Sequence, residues 1–277
     1  MKLYAVFGNP IAHSKSPYLH NRTFYNLGID AKYVRILLDS NTNARDFRKI
    51  FFEYGLSGAN ITVPFKEIAL DSCDEVIGIA QKIGAINTII RCDERLLGYN
   101  TDAMGFYRNI EREKLHNALI IGAGGSARAI AFILQERGIK ATLINRSQNR
   151  LEFFRKNGFE CASFGEFYTN LKGKSNAKFD LIINATSSSI EGELPLDSAI
   201  LAELFKGAKI AFDLMYGKKC PFLELAKQCG KIRIPKIQAP IKTIDGANML
   251  RYQAIEASSL FLNKPYKIIE KAMPKAQ

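Results

Sequence analysis

The chain has few of the residues that hold a metal and no pairing of those that form disulfides. Three histidines occur, and His13 and His20, seven positions apart, have no HExxH-type carboxylate between them, so no metal site is expected. The five cysteines (Cys73, Cys92, Cys161, Cys220, Cys229) are odd in number, widely spaced and free of any CxxC pair, which argues against a zinc ribbon or disulfide framework and for reduced thiols. No window approaches the roughly 18 uninterrupted apolar residues of a membrane span. Even the most apolar helical stretch, AIAFILQERG, turns polar within its length. The opening MKLYAVFGNP runs a short apolar segment straight into a turn, without the apolar core and cleavage site of a secretory signal, so a cytoplasmic location is expected. Missing too is any basic block interleaved with aromatics. The net charge of +12, from 39 basic and 27 acidic side chains, therefore points to small anionic ligands and away from nucleic acid or a membrane surface.

What the chain has is length and alternation. At 277 residues it exceeds what one core usually organises, and with 47% hydrophobic and 24% charged residues it can build two domains. β-rich apolar runs at 2–8, 31–38 and 57–63 alternate with helical spacing at 17–28 and 43–54, and the runs 85–91 and 95–99 flank a short polar turn as a hairpin. Helical spacing covers Thr101–Arg112. From 117 a second series begins, with strand candidates at 117–121, 140–144, 179–183 and 209–213 separated by helices, the pattern of a Rossmann-like, doubly wound parallel sheet. Its strand order is not set by this pattern. After the turn-rich segment 234–243, a last helix from about Gly246 to Leu262 is expected to return to the first domain. The fold class is thus α/β in two domains: residues 1–101 with about 244–277 form one, and 102–243 the other.

The strongest local signal opens the second domain. Gly122, Gly124 and Ala127 satisfy G-x-G-x-x-G/A between the strand ALII and a helix. The first glycine makes the tight turn, the second lets backbone approach a pyrophosphate, and the small third residue lets helix and strand pack closely, with phosphates at the helix N-terminus. Where an NAD enzyme places Asp or Glu on the next strand, KATLINRS ends in Asn145, Arg146 and Ser147, and Arg150 follows one turn on. A carboxylate there would repel a 2′-phosphate, whereas a guanidinium forks onto its oxygens, so the expected cofactor is NADP.

Four segments of the first domain carry polar residues in unusual places. GNPIAHSKSP holds Ser14, Ser16 and Pro17; Ser16 reads as a helix N-cap, leaving His13 and Ser14 in a loop that could hold a carboxylate or diol. GANITVPFKE ends a strand at Thr62, turns at Pro64 and puts Lys66 in the first helical turn. A cation is disfavoured there by on the order of 0.3–1 kcal/mol, so this lysine is either solvated or needs a partner. GAINT places Asn87 at a strand position, and GYNTD places Asp102 at a helix start, where N-capping is the simplest reading.

Taken in order and spacing, GNPIAHSKSP, NITVPFK, GAINT, GYNTD, GAGGSARA, NRS with Arg150, NATS (184–187) and DGANMLRYQA resemble the shikimate dehydrogenases over about the whole chain. The resemblance implies an oxidoreductase that reversibly reduces 3-dehydroshikimate to shikimate with NADPH, on the route to chorismate and the aromatic amino acids, as a monomer or homodimer. It implies that Ser14, Ser16, Thr62, Lys66, Asn87, Asp102, Tyr216 and Gln253 surround the substrate, with Lys66 and Asp102 catalytic. It also implies that Gly122, Ala123, Gly124, Gly125, Ser126, Asn145, Arg146, Ser147, Arg150, Leu214 and Gly246 contact NADP, making 102–243 the NADP-binding domain and the remainder the substrate domain. The pattern departs from the family at Ser188-Ser189-Ile190 and at Asn248, both near the expected nicotinamide site. Two other readings share these motifs: a dehydrogenase acting on both quinate and shikimate, which kinetics with the two acids separates, and a catalytically silent NADP-binding regulator, against which the retained Lys66 and Asp102 argue.

Overall fold

The computed structural model describes residues 1–173, 178–216, 220–231 and 240–276, so most of the turn-rich 234–243 segment lies outside the described residues. They divide into two units, Met1–Arg108 with Asn248–Gln277 and Asn109–Ala247. The first runs β1 (Lys2–Gly8), α1 (Ser16–Asn26), β2 (Ala31–Leu37), α2 (Ala44–Glu53), β3 (Gly58–Ile61), α3 (Lys66–Asp71), β4 (Glu75–Val76), α4 (Ile79–Ile83), β5 (Thr88–Cys92), β6 (Arg95–Tyr99) and α5 (Asp102–Tyr107). The second runs β7 (Asn117–Ile121), α6 (Gly125–Glu136), β8 (Lys140–Asn145), α7 (Glu152–Lys156), β9 (Glu160–Ser163), α8 (Phe164–Gly173), β10 (Leu181–Asn184), α9 (Ser188–Glu191), α10 (Ser198–Phe205), β11 (Ile210–Asp213), α11 (Pro221–Lys231) and β12 (Lys242–Ile244). The chain closes with α12 (Gly246–Leu262) and α13 (Tyr266–Ala272).

Strand alternation builds the first core. β1 is the middle of the sheet β2-β1-β3-β5-β6-β4, parallel to β2 and β3, and is buried on both faces. Ala5 and Phe7 point to one side, where Phe7 meets Phe47 of α2 at 4.9 Å between ring centroids. Tyr4 and Val6 point to the other, where Tyr4 lies 5.4 Å from Phe24 of α1 and 4.8 Å from Phe261 of α12. Burial of that second face is why α12 returns to this unit: a sheet covered on one side only would leave Tyr4, Val6 and Tyr33 in water. The hairpin β5–β6 turns through Asp93 and Glu94, with Asp93 at φ 56°, a conformation Asp tolerates better than most residues. The helix expected over Thr101–Arg112 stops at Tyr107, since beyond Ile110 the run EREK offers no apolar stripe to bury.

The second sheet has the order β12-β11-β10-β7-β8-β9, parallel throughout. Counted from β7 this is the 3-2-1-4-5-6 order of the doubly wound dinucleotide fold, with its switch point between β7 and β10. The edge strands β9 and β12, unanticipated from periodicity, complete it.

One buried side chain in the first unit carries a pH dependence. His20 is fully buried, stacks on Tyr33 at 4.2 Å with planes 8° apart, and shares a 2.8 Å hydrogen bond between Nδ1 and the Ser258 hydroxyl. Burial drives its pKa down to about 3, against a smaller upward pull from Asn60. The unfolded chain takes up a proton near pH 6.5 that the folded chain refuses until about pH 3, so the contribution of neutral His20 is complete above 6.5 and is lost as the pH falls through that window. Subtracting the denaturant stability of His20→Phe from that of the wild type is therefore expected to give a difference that falls by about 1.4 kcal/mol per pH unit between pH 6 and 4. A pH-independent difference would show that His20 is not buried neutral.

Candidate active site

Lys66 is the first residue of α3, so its ammonium faces the positive end of that helix. Its compensation is the Asp102 carboxylate on α5, with Nζ 2.5 Å from Oδ2 and side-chain exposures of 12% and 10%. At that burial the pair has lost most of its water, and the other carboxylate oxygen needs a donor of its own. Asn87 supplies it, giving Nδ2 to Asp102 Oδ1 at 2.8 Å. Asn87 sits one residue before β5, not within it as the pattern suggested, yet its backbone continues the ladder by receiving Ile61 N–H and donating to the Tyr99 carbonyl. Asp102 does not cap α5 either. It is the first helical residue, and Asn100 Oδ1 takes the Ala103 N–H at 3.2 Å, which leaves the aspartate for the lysine.

Gln253 arrives on α12. A Cβ on Gly105 of α5 would lie 2.8 Å from the Gln253 backbone nitrogen, and this close approach brings Gln253 Oε1 to 3.4 Å from Asn87 Nδ2 and 3.5 Å from the Thr101 hydroxyl. Thr62 follows β3, its N–H bonded to the Phe7 carbonyl. Ser14 and Ser16 lie ahead of and at the start of α1. Ser16 is the first helical residue and Pro17 the second, so Ser16 is not the N-cap; the Ser14 hydroxyl takes the Ser16 N–H at 3.3 Å instead. Arg35 of β2 clamps this loop with Nε 3.1 Å and Nη2 2.5 Å from the Ser14 carbonyl. That role left no trace in local spacing, because Arg35 reads as one more charged residue on a strand.

In the second unit the glycine turn sits at the switch point. Gly122 has φ +115°, and a Cβ there would lie 3.0 Å from the Ala185 carbonyl oxygen just past β10, so both conformation and space demand glycine. Gly124, the extended N-cap of α6, has open space where its Cβ would be and, being glycine, brings no capping side chain of its own. The first-turn N–H groups of α6, which include those of Gly125 and Ser126, thus face a cradle suited to a pyrophosphate, with Ala123 buried behind it. β8 ends at Asn145, whose amide donates to the Ser147 carbonyl, and Arg146, Ser147 and Arg150 are exposed. Among the described residues neither arginine makes an ion pair, so two guanidiniums stand ready for a phosphate at the strand end. These residues fit NADP.

At the end of β11 a buried aspartate organises the remaining loop. Asp213 accepts from Asn184 Nδ2 (2.8 Å), Ser189 Oγ (2.7 Å), Met215 N (2.8 Å) and Cys220 Sγ (3.0 Å). Burial first, and the adjacent carboxylate second, push the Cys220 thiol up to about 11, which keeps it a donor. The hydroxyl of Ser189, one of the departures from the family pattern, is thereby absorbed into this cluster, while Ile190 beside it is 54% exposed. Leu214 and Gly246 are pressed together: a Cβ on Gly246 would lie 2.0 Å from the Leu214 carbonyl oxygen, and Gly246 N–H bonds to the Met215 carbonyl at 3.1 Å. Tyr216 follows in this second unit, with burial raising its phenol pKa, and so is not among the side chains the first unit assembles.

A doubly wound unit with a glycine turn at its switch point and two exposed arginines at the end of the next strand, in one chain with a desolvated lysine–aspartate pair, is the architecture of an NADP-linked dehydrogenase. The comparisons narrow this. The model of the shikimate dehydrogenase substrate binding domain matches residues 6–89, and that of ketopantoate reductase PanE/ApbA matches 118–189 across the glycine turn. The NADP(+) shikimate dehydrogenase of Helicobacter hepaticus is 49% identical over 95% of this chain and 92% of its own. Shikimate 5-dehydrogenase of Thermus thermophilus, solved with NADP(H) and shikimate, superposes with a TM-score of 0.80 at 30% identity, covering 98% of each chain. The Aquifex aeolicus enzyme gives 0.81 at 28% identity, covering 98% of this chain and 97% of its own. The chain belongs to the shikimate dehydrogenase family.

The Leu214–Gly246 contact is backbone against backbone and cannot relax by turning a rotamer. Gly246→Ala is expected to lower the thermal midpoint, through a strain of about 1–3 kcal/mol or more, and to weaken NADP binding at least about tenfold. Unchanged melting and unchanged NADP titration would show that the contact has no bearing on the cofactor site.

Proposed function

We infer that the chain catalyses the reversible reduction of 3-dehydroshikimate to shikimate with NADPH, within the shikimate pathway. The observation that carries this reading is the Lys66–Asp102 pair, nearly withdrawn from water and tied to Asn87, in the unit whose sequence matches the family's substrate binding domain. The relatives named as NADP(+) shikimate dehydrogenases, and the Thermus structure holding NADP(H) and shikimate, support the same substrate and cofactor. The reduced nicotinamide supplies the hydride. As the ketone carbon gains it, negative charge builds on oxygen, and the Lys66 ammonium stabilises that charge and delivers the proton that completes the hydroxyl. In the reverse direction Lys66 takes the proton back. Asp102 holds the ammonium in place, and Ser14, Ser16, Thr62, Asn87, Tyr216 and Gln253 bind the carboxylate and hydroxyls of the acid. The cradle at Gly122–Ser126 holds the pyrophosphate, Arg146 and Arg150 with Asn145 and Ser147 hold the 2′-phosphate, and Leu214 and Gly246 border the nicotinamide. The unit Met1–Arg108 with Asn248–Gln277 serves as the substrate domain, which keeps Asp102 beside Lys66, and Asn109–Ala247 as the NADP domain. Five cysteines, odd in number and widely spaced with no CxxC pair, support a reducing, cytoplasmic setting, with the protein acting as monomer or homodimer.

The test is the initial rate of cofactor reduction with shikimate or quinate, each with NADP or NAD. Shikimate with NADP is expected to be fastest by a wide margin; comparable rates with quinate favour dual specificity, and tight NADP binding without turnover favours a silent binding protein. In the same assay Lys66→Ala is expected to lower kcat by roughly 10²–10⁴ with a modest change in KM, and near-normal turnover would remove Lys66 from the chemistry. Arg146→Ala combined with Arg150→Ala is expected to raise KM for NADP by about 10²-fold while leaving NAD nearly unaffected. Equal losses with both cofactors would mean that these arginines do not read the 2′-phosphate.

A further inference from the structure

Asn60 lies in the NITVPFK motif, yet nothing in the proposed reaction uses it. It is 5% exposed on β3, opposite Thr88 in the β3–β5 ladder, and both belong to a chain of hydrogen bonds that ends at the lysine–aspartate pair. We propose that Tyr33, Asn60 and Thr88 are positioning residues, a buried relay that steadies the Asn87 amide in the orientation the Thr101 N–H selects, with its NH₂ toward Asp102; this rests on the function proposed above.

Two backbone groups determine the polarity of the relay. The Thr101 N–H is a donor only and lies 2.7 Å from Asn87 Oδ1, so Asn87 must turn its Nδ2 toward Asp102. The Asn87 carbonyl is an acceptor only and takes Asn60 Nδ2 at 3.1 Å, so Asn60 must turn its Oδ1 toward the Tyr33 hydroxyl, 2.7 Å away. Between them Thr88 accepts from Asn60 Nδ2 at 3.0 Å and donates to Asn87 Oδ1 at 3.1 Å. Tyr33, Asn60, Thr88 and Asn87 thus each donate to the next group in line and finally to Asp102, an arrangement in which each bond polarises the next, while the Thr101 hydroxyl, 3.1 Å from Thr88 Oγ1 and 3.0 Å from Asn87 Nδ2, is hydrogen-bonded to both groups. Burial holds the Tyr33 phenol protonated by raising its pKa, so the first donor is always present. A flipped Asn87 would set its carbonyl against the Asp102 carboxylate and its NH₂ against the Thr101 N–H, two repulsive contacts in place of two bonds.

Thr88→Val keeps the side-chain shape and deletes the hydroxyl; Thr88→Ser restores it. The first readout is kinetic. Thr88→Val is expected to lower kcat for shikimate about tenfold with KM changed less than about threefold, the loss of roughly one net hydrogen bond, and Thr88→Ser to return within about twofold of the wild type. The second does not depend on turnover. The Asn87 side-chain NH₂ pair, identified in ¹⁵N–¹H spectra by its absence from Asn87→Ala, is expected to shift and to exchange faster with solvent in Thr88→Val and Tyr33→Phe, and to regain its wild-type position in Thr88→Ser. A Thr88→Val protein with the wild-type Asn87 signature and wild-type kcat, differing only in thermal midpoint, would overturn the relay. Wild-type protein inactive on shikimate would instead refute the proposed reaction, while the amide spectra would still decide whether Asn87 is held through Thr88.

Discussion

An ammonium at the wrong end of a helix, withdrawn from water, depends on the Asp102 carboxylate, and much of the first unit is arranged to keep that carboxylate where it is. Lys66 opens α3, and Asp102 opens α5, thirty-six residues on, so no local geometry joins them. The β5–β6 hairpin lies between them in sequence. It carries Asn87 at its entrance and delivers the chain to Asn100, Thr101 and Asp102 at its exit, so the pairing of β5 with β3 and β6 sets the distance between the charges. Taking one partner from such a pair would leave an uncompensated charge at a site about one-tenth exposed, which costs several kcal/mol. The hydrogen bond from Asn87, and the cap on α5 provided by Asn100 instead of Asp102, are what make the arrangement affordable.

How far the fold could be read in advance follows from the range of the forces involved. Alternating strands and helices, the hairpin and the glycine turn are written in short local spacings, and each was legible; the last helix was legible as a helix, but its packing on the first unit is a tertiary contact that no local spacing records. The strand order of the second sheet was not, because it depends on which crossovers pack on which face. β4 and β12 were missed because two or three edge residues carry no periodicity. At the site, the types of residue were legible and their partners were not. Ser16 and Asp102 both look like N-caps in sequence, since Ser and Asp cap helices well, yet the capping is done by Ser14 and Asn100, two residues earlier in each case. Arg35, Asn60 and Asp213 escaped notice for a related reason: their bonds reach 21 to 29 residues along the chain, beyond anything a local pattern records.

Among the described residues two carboxylates are buried, Asp102 and Asp213, and they show different solutions to one problem. Asp102 is compensated by a cation plus one amide, a small donor set that leaves the ammonium as the principal opposite charge. Asp213, with no exposed surface, is compensated by a backbone N–H, an amide, a hydroxyl and a thiol, and among the described residues no cation pairs with it. Four donors from four segments make Asp213 a tether: β10, α9, the stretch beyond β11 and the residue before α11 all end on the same two oxygens. Such a group gains its stabilisation from geometry and resists any change that would move one segment relative to another. A cation–carboxylate pair is the opposite case. Its ammonium sits at the end of a long side chain and donates to one carboxylate oxygen at 2.5 Å, so the pair is held by charge and contact and not by four converging segments. The chain thus places the rigid cluster where loops must be held, and the ionic pair where two helix starts meet.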